Sequence, residues 1–289
     1  MAYSSILRPF SSIVAPGSLQ VPNGPLVIDW TKPITRGLLG FWLPGIAMGM
    51  TDITRQTSQV LGPYSGTTGG PVPTLSNEGP GLNFTNAGTS LAFSPCPPAY
   101  LTPSAFTLYW RGLLLATSGF SAYTTILGVN YQYPTNVAPF NLWSMGLDSA
   151  GGPGMGLAWN GGGTQVAWDS GSAQTMTAQL ALGIHDYCAT FVVNGAVNMN
   201  VDGAFWQTKT GGWGGASQPT YTATNVLNVG MEKNAVTIAV AIWNRALGAD
   251  EIMQMHIAPY DFVVPAEADM PVTIFVAPPT LMPQGVISI

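Results

Sequence analysis

Residues 197–203 read VNMNVDG, and this stretch sets the fold class of the chain. Val197, Met199 and Val201 alternate with polar residues, which is the period of a β-strand that has one buried and one wet face. Asn198 and Asn200 therefore belong to the wet face. Asp-Gly is the dipeptide of a tight hairpin turn, so the next strand is predicted to begin at once, near Phe205.

Further strands and one helix follow from the same reasoning. Residues 106–115 begin with alternation at Phe106, Leu108 and Trp110, and residues 236–243 alternate through Ile238, Val240 and Ile242. A single short helix is predicted over residues 249–256. Acidic residues at 250 and 251 suit its first turn, Ile252 and Met255 can face a core, and Pro259 ends it.

The composition supports many short strands and excludes several classes of protein. Only 7% of the 289 residues are charged, 46% are hydrophobic, and there are 35 Gly and 24 Pro. The eight basic residues are scattered, which argues against a nucleic-acid partner. The longest apolar run, residues 38–50, is short and contains Pro44, so we expect no membrane insertion. We also expect no signal peptide and no disulfide between Cys96 and Cys188.

Four stretches, in order, resemble motifs of the laminin-G-like, concanavalin-A-like superfamily. Each motif is short, and it is their order along the chain that carries the resemblance. They are GLLGFW at 37–42, IHDYCAT at 184–190 with the VDG turn at 201–203, LNVG at 227–230, and AIWNRALGADEI at 241–252.

This resemblance implies an all-β fold, a two-sheet antiparallel jelly-roll β-sandwich with one short C-terminal helix. We divide the chain into an extended N-terminal arm (1–35), the jelly-roll domain (36–262) and an extended C-terminal tail (263–289), because closely spaced prolines mark both ends. A strand-like run at 272–276 in the tail has no partner nearby in sequence and could join a sheet edge of its own or a neighbouring subunit.

A narrower resemblance concerns the biological setting. Residues 28–38 (IDWTKPITRGL) and 257–262 (IAPYDF) are similar to the lead-in and exit of laminin-G-like proteins from tailed bacteriophages. The resemblance implies a virion protein, synthesised in the host cytoplasm and carried on the particle. We expect a capsid decoration or cement protein whose partners are the major capsid protein or other virion proteins, and copies of itself. The alternative is a tail or head adhesin that binds a host surface glycan.

The sequence predicts no enzyme. Glycosidases of this fold carry clustered carboxylates, and retaining hydrolysis needs two of them about 5 Å apart. The acidic residues here are spread singly along the chain. His185 and Asp186 are adjacent in a strand and so point to opposite faces, and two histidines are too few for a three-histidine zinc site. No cofactor is expected, although calcium stays open at Asp148 or Asp169 with backbone carbonyls.

Aromatic residues beside glycine and amide residues are the one sequence signal for a ligand. Flat indole faces and amide hydrogen-bonding groups suit a sugar, whereas the other interpretation places these tryptophans in the core or at a subunit interface, where Trp is common. We favour the core interpretation. The glycan-binding candidates are Trp143, Trp159, Asn160, Gln165, Trp168 and Trp213.

Overall fold

A computed structural model places the chain in an all-β sandwich with one α-helix. It describes residues 18–22, 24–44, 49–64, 72–84, 90–94, 104–116, 124–129, 143–148, 154–161, 164–169, 182–192, 196–210, 227–229 and 234–266. The strands are β1 (Leu26–Ile28), β2 (Leu38–Pro44), β3 (Met50–Asp52), β4 (Ser58–Tyr64), β5 (Val72–Ser76), β6 (Gly79–Asn83), β7 (Ser90–Ser94), β8 (Ala105–Leu114), β9 (Thr124–Val129), β10 (Trp143–Asp148), β11 (Gly154–Gly161), β12 (Thr164–Asp169), β13 (Gly183–Val192), β14 (Ala196–Val201), β15 (Ala204–Thr210), β16 (Leu227–Val229), β17 (Ala235–Trp243) and β18 (Val263–Pro265). A 3-10 helix spans Pro33–Thr35, and helix α1 spans Ala249–Ile257.

Two large antiparallel sheets form the sandwich. One has seven strands in the order β12-β11-β10-β9-β16-β7-β4. The other has nine strands, with β15-β14-β13-β8-β17-β2-β3 as its main path and β5 and β6 joined through β17. The predicted fold class is therefore confirmed, and the four motif stretches contribute to β2, β13, β16 and the β17–α1 connection.

The core between the two sheets is aromatic and aliphatic. The nine-stranded sheet contributes Trp42, Trp110 and Met199, and the seven-stranded sheet contributes Phe93 and Leu127, all fully buried. Trp110 stacks on Tyr187 with ring centroids 5.4 Å apart. The predicted inward positions Phe106, Leu108, Met199 and Val201 all lie in this cluster, whereas the side chain of Val197 lies outside the described residues.

A second apolar layer covers the outer face of the nine-stranded sheet. This layer packs on Phe41, Cys188 and Trp243 of the sheet. It includes Met255 of α1 and Phe262. Because both of its faces are packed, all nine residues of β17 are buried. Burial also raises the pKa of the Cys188 thiol, which therefore packs here as a small, neutral side chain.

Two details of the predicted strand faces are wrong. The sequence predicts Asn200 on a wet face, but its side chain is only 5% exposed because the second layer covers the sheet there. Its side-chain amide donates to the carbonyl of Cys188 at 3.4 Å. Ile238 was placed on one face with Val240 and Ile242. A register shift between Thr237 and Ala239 instead puts Ile238 in the outer layer and the other two in the core.

The predicted hairpin turn and helix are both confirmed. Asp202 and Gly203 have φ angles of 51° and 74°, as a type I′ turn requires. A side chain at Gly203 would meet Cβ of His256 at 2.8 Å, so α1 rests directly on this turn. Ile252 and Met255 are buried, and Glu251 accepts from the Gly248 N–H at 3.0 Å, which supplies the cap that glycine lacks.

The segments on either side of the predicted domain meet on its surface. β1 and β18 form a two-stranded antiparallel sheet with Leu26 opposite Pro265, and Leu26, Ile28 and Ile34 are buried in the outer layer. The division at residues 36 and 262 stays a prediction. The run at 272–276 lies outside the described residues.

Candidate functional site

The predicted glycan-binding residues fall largely on three adjacent strands. Trp143 of β10 is the backbone partner of Trp159 of β11, and Asn160 of β11 is the partner of Gln165 of β12. Trp168 of β12 pairs with Leu157. The fold therefore brings five of the six predicted positions to one end of the seven-stranded sheet at the level of the backbone. Their side chains, and Trp213 altogether, lie outside the described residues.

The two calcium candidates are the last residues of neighbouring strands. Asp148 ends β10 opposite Gly154, and Asp169 ends β12 opposite Gly156. Both partners belong to β11, so the two aspartates lie near one end of that strand. Their side chains lie outside the described residues, and calcium binding there stays a prediction.

A charged cluster on the other sheet was not foreseen from the sequence. It lies on the outer face of the nine-stranded sheet, beneath α1. We call it the Arg111 cluster, and its members are Glu78, Arg111, His185, Asp186, Asp202 and His256. The prediction that the acidic residues stand apart from one another is wrong for Glu78, Asp186 and Asp202.

Strand register and one helix bring these residues together. Arg111 of β8 and Asp186 of β13 are direct backbone partners on one face of the sheet. Glu78 comes from the turn between β5 and β6, Asp202 from the β14–β15 turn, and His256 from the last turn of α1. Five separate parts of the chain thus contribute side chains to the Arg111 cluster.

Arg111 is the centre of the cluster. Its Nε and Nη2 atoms donate to the two carboxylate oxygens of Glu78 at 2.7 and 2.5 Å, and its Nη1 donates to Oδ2 of Asp186 at 2.8 Å. All three residues are at least nine-tenths buried. Burial lowers the pKa of the guanidinium, but the hydrogen bonds and charge of Glu78, with Asp186, outweigh this and hold the pKa above its usual value.

The two histidines each bind a different aspartate. Nδ1 of His256 lies 2.8 Å from Oδ2 of Asp186, and Nδ1 of His185 lies 2.8 Å from Oδ2 of Asp202. An ionised carboxylate only accepts, so each Nδ1 carries the hydrogen. Nδ1 of His185 is thus bound to Asp202, and His256 pairs with Asp186 in addition to lying near a helix end.

The arrangement suits a structural network better than a metal centre. Ligand atoms of Asp186, Asp202 and His256 lie within 4.8 Å of one another, a spacing that a cation could bridge. Each oxygen of Asp186 already accepts a hydrogen bond, Oδ1 from the Gly203 N–H at 3.2 Å. The guanidinium 2.8 Å away would also repel a cation. The carboxylates are therefore satisfied by the protein itself.

The cluster predicts a pH-dependent stability that depends on His256. The hydrogen bond to Asp186, with the charges of Asp186 and Asp202, raises the pKa of His256 above 6.5 against the effects of burial and Arg111. A raised pKa in the folded state stabilises it fully below the unfolded pKa, and that stabilisation is lost as the pH rises through the folded pKa. We expect the urea midpoint to fall as the pH rises from about 6.5 through the folded-state pKa of His256.

His256→Asn is the matched variant for this measurement, because its amide can still donate to Asp186 but cannot be protonated. Its urea midpoint should change less over the same pH range. An identical pH dependence in both proteins would contradict the assignment.

At lower pH the ionisation of Asp202 affects stability in the opposite direction. Burial raises its pKa, but hydrogen bonds from His185 and a backbone amide lower it overall, so its contribution is lost in acid.

Comparison with known proteins shows the fold and no family. No protein-family model matches the chain, and no curated protein matches it in sequence. The binding domain of Paraclostridial Mosquitocidal Protein 1 superposes with a TM-score of 0.52 at 11% identity, covering 77% of this chain and 52% of that chain. The botulinum neurotoxin serotype D binding domain gives 0.53 at 7% identity, with 78% and 52% covered.

These likenesses concern the β-sandwich alone, because so few residues are identical. The chain spans about half the length of the toxin chains that it matches. A Trypanosoma rangeli sialidase gives a TM-score of only 0.48 at 17% identity, over 77% of this chain and 33% of that one, which is too low to argue from.

Proposed function

We propose that this chain is a non-enzymatic structural protein of a tailed-bacteriophage particle, carried on the capsid surface as a decoration or cement protein. The resemblance of residues 28–38 and 257–262 to the lead-in and exit of phage proteins motivates the proposal. The observation that carries it is the pairing of β1 with β18, which gathers both flanking segments at one place on the sandwich.

That pairing supports attachment through two segments at once. The Ala266 N–H donates to the carbonyl of Pro25 at 2.9 Å, so these two residues lie side by side, while the N–H of the preceding Val21 donates to the carbonyl of Glu78 at 2.7 Å. We propose that residues 1–17 and 267–289 contact the same partner, since two linked contacts bind more tightly than either alone. The partners we propose are the major capsid protein or other virion proteins, and further copies of this chain.

The exposed apolar side chains support contacts with other virion proteins. Phe205 of β15 is 63% exposed, and Met253 and Ile257 of α1 are 42% and 58% exposed. In a chain that is only 7% charged, such side chains favour burial within a larger assembly. No helix in the described part of the chain is long and apolar enough to cross a membrane.

The absence of catalysis is also part of the proposal. Hydrolysis by paired carboxylates needs oxygens that face the substrate. Asp186 is 1% exposed and is bonded to Arg111 and His256. These contacts support a structural role for the carboxylates of the Arg111 cluster.

Removal of residues 1–17 and 267–289 tests the proposal. The remaining chain, 18–266, keeps β1, β18 and the buried Ile34, so we expect it to fold with little change in its thermal midpoint. It should not attach to particles that lack the protein, because the two segments supply the contacts. Occupancy is measured by electron microscopy of reconstituted particles.

A shorter variant and the full chain serve as controls. Residues 36–262 alone lack β1 and β18, which cover the nine-stranded sheet, and we expect that variant to have a lower thermal midpoint than 18–266. The full chain should saturate the particles. Equal occupancy by the full chain and by 18–266 would refute attachment through the two segments.

A carbohydrate-binding adhesin is the second candidate. The observation that favours it is the backbone pairing of Trp143 with Trp159 and of Asn160 with Gln165 on adjacent strands. One protein of similar fold is the receptor binding domain of botulinum neurotoxin mosaic serotype C/D, at 8% identity. If this function is correct, the 18–266 chain should bind host surface glycans on an array, and Trp159→Ala should abolish the signal. Loss of particle attachment without any glycan signal would favour the structural role.

A further inference from the structure

Trp30 is exposed, unlike the other tryptophans whose side chains the structure describes. Trp42, Trp110 and Trp243 are completely buried and Trp206 is partly buried, whereas Trp30 is 55% exposed. An indole left in water presents a flat apolar face with one donor at its edge, which suits recognition of a ligand that is part apolar and part polar. Trp30 was not among the predicted glycan-binding residues, because its sequence neighbours are not glycine and amide residues.

Trp30 forms one wall of a groove with a volume of about 380 Å³, which lies in the range of small-molecule sites. Two of the eight basic residues of the chain, Lys32 and Arg36, line it within five positions of each other. Among the residues that the structure describes, no carboxylate contributes to the lining. Asp29 lies nearby and keeps its negative charge: its Oδ1 accepts from the Thr31 N–H and hydroxyl at 3.0 and 2.6 Å, and Lys32 offsets part of that charge.

The groove is rigid although its segment has little regular structure. Trp243 Nε1 donates to the Ile34 carbonyl at 2.8 Å, and Arg245 Nε donates to the Arg36 carbonyl at 2.6 Å. The Thr35 hydroxyl donates to the Lys32 carbonyl at 2.7 Å. A segment that the sandwich holds at Ile34 and Arg36 loses little entropy when a ligand binds, which raises affinity.

The two cations remain available to a ligand. Lys32 contacts Asp261 at 3.2 Å, but the lysine side chain is 38% exposed, and an ion pair at that exposure contributes little. Arg36 is exposed, while its backbone carbonyl holds the segment in place. A ligand anion can therefore engage both groups without the loss of a strong interaction in the protein.

From these features we infer that the groove binds an anionic sugar residue. The apolar face of a pyranose ring packs on the Trp30 indole, and its carboxylate or phosphate binds Lys32 and Arg36. This site belongs to the segment that leads into the nine-stranded sheet, so it is separate from the Trp143–Trp159 pair of the seven-stranded sheet. It adds a ligand to the proposed virion protein and does not depend on that proposal.

The test is ligand-observed NMR and calorimetry on the full chain with three probes. A glucuronic-acid disaccharide represents the carboxylate, glucose 6-phosphate the phosphate, and maltose the neutral sugar. We expect at least one anionic probe to bind about tenfold or more tightly than maltose, with affinity that weakens as salt is added. The stronger of the two anionic probes identifies the anion.

Two variants and their matched controls locate the site. Trp30→Ala should abolish measurable binding of every probe, while Phe205→Ala, which removes another exposed aromatic, should leave binding unchanged. The double variant Lys32→Gln, Arg36→Gln should bring the anionic probe to the affinity of maltose, while Arg55→Gln should not. Thermal midpoints check that each variant folds.

Three outcomes would overturn the inference. The first is no binding of any probe at millimolar concentration, and the second is unchanged binding in Trp30→Ala. The third is binding of maltose as tightly as both anionic probes, since Lys32 and Arg36 would then have no part in recognition.

Discussion

Replacement of Arg111 by Met should lower the free energy of unfolding by about 3–5 kcal/mol. The guanidinium is the shared partner of Glu78 and Asp186, both at least nine-tenths buried. Removal of the cation leaves two carboxylates in a region from which water is excluded, 2.8 Å or less from where their charge partner stood. Urea denaturation followed by circular dichroism measures the loss.

Lys32→Met is the matched control, because its ion pair with Asp261 lies at the surface. We expect it to cost less than about 1 kcal/mol. The double variant Arg111→Met, Glu78→Gln should recover part of the loss, since it removes one of the two unpaired charges. A loss below about 1 kcal/mol in Arg111→Met would mean that the buried charges do not depend on this residue.

Trp243→Ala should also cost about 3–5 kcal/mol. The indole is completely buried in the outer layer, and its Nε1 donates to the Ile34 carbonyl at 2.8 Å. The substitution therefore opens a cavity beneath the cover of the nine-stranded sheet and leaves a buried carbonyl without its donor. Chemical denaturation gives the size of the effect.

Trp243→Phe and Trp30→Ala separate the causes. Phenylalanine fills part of the volume but cannot donate to Ile34, so its cost should be intermediate. Trp30 is 55% exposed, and its replacement should change stability by less than about 0.5 kcal/mol. If Trp243→Ala proved as mild as Trp30→Ala, the cover would not contribute to the stability of the sandwich.

The local features of this protein follow from its sequence. Alternation over residues 197–201 placed Met199 and Val201 in the core, and the Asp202-Gly203 dipeptide placed the turn. The buried positions of the short helix followed from its spacing. The strand, the turn and the helix each depend on residues only a few positions apart. Backbone geometry sets their conformation, and the polarity of each side chain sets whether it faces the core or solvent.

The second layer and the Arg111 cluster were decided only by the tertiary structure. Alternation separates two faces of a strand but does not say that both are covered, so it could not predict the burial of Asn200. Arg111 meets partners 33 and 75 positions away, and no local pattern marks such pairs. They meet because the strand register places Asp186 opposite Arg111, and because α1 and the β5–β6 turn then exclude water from the space between them.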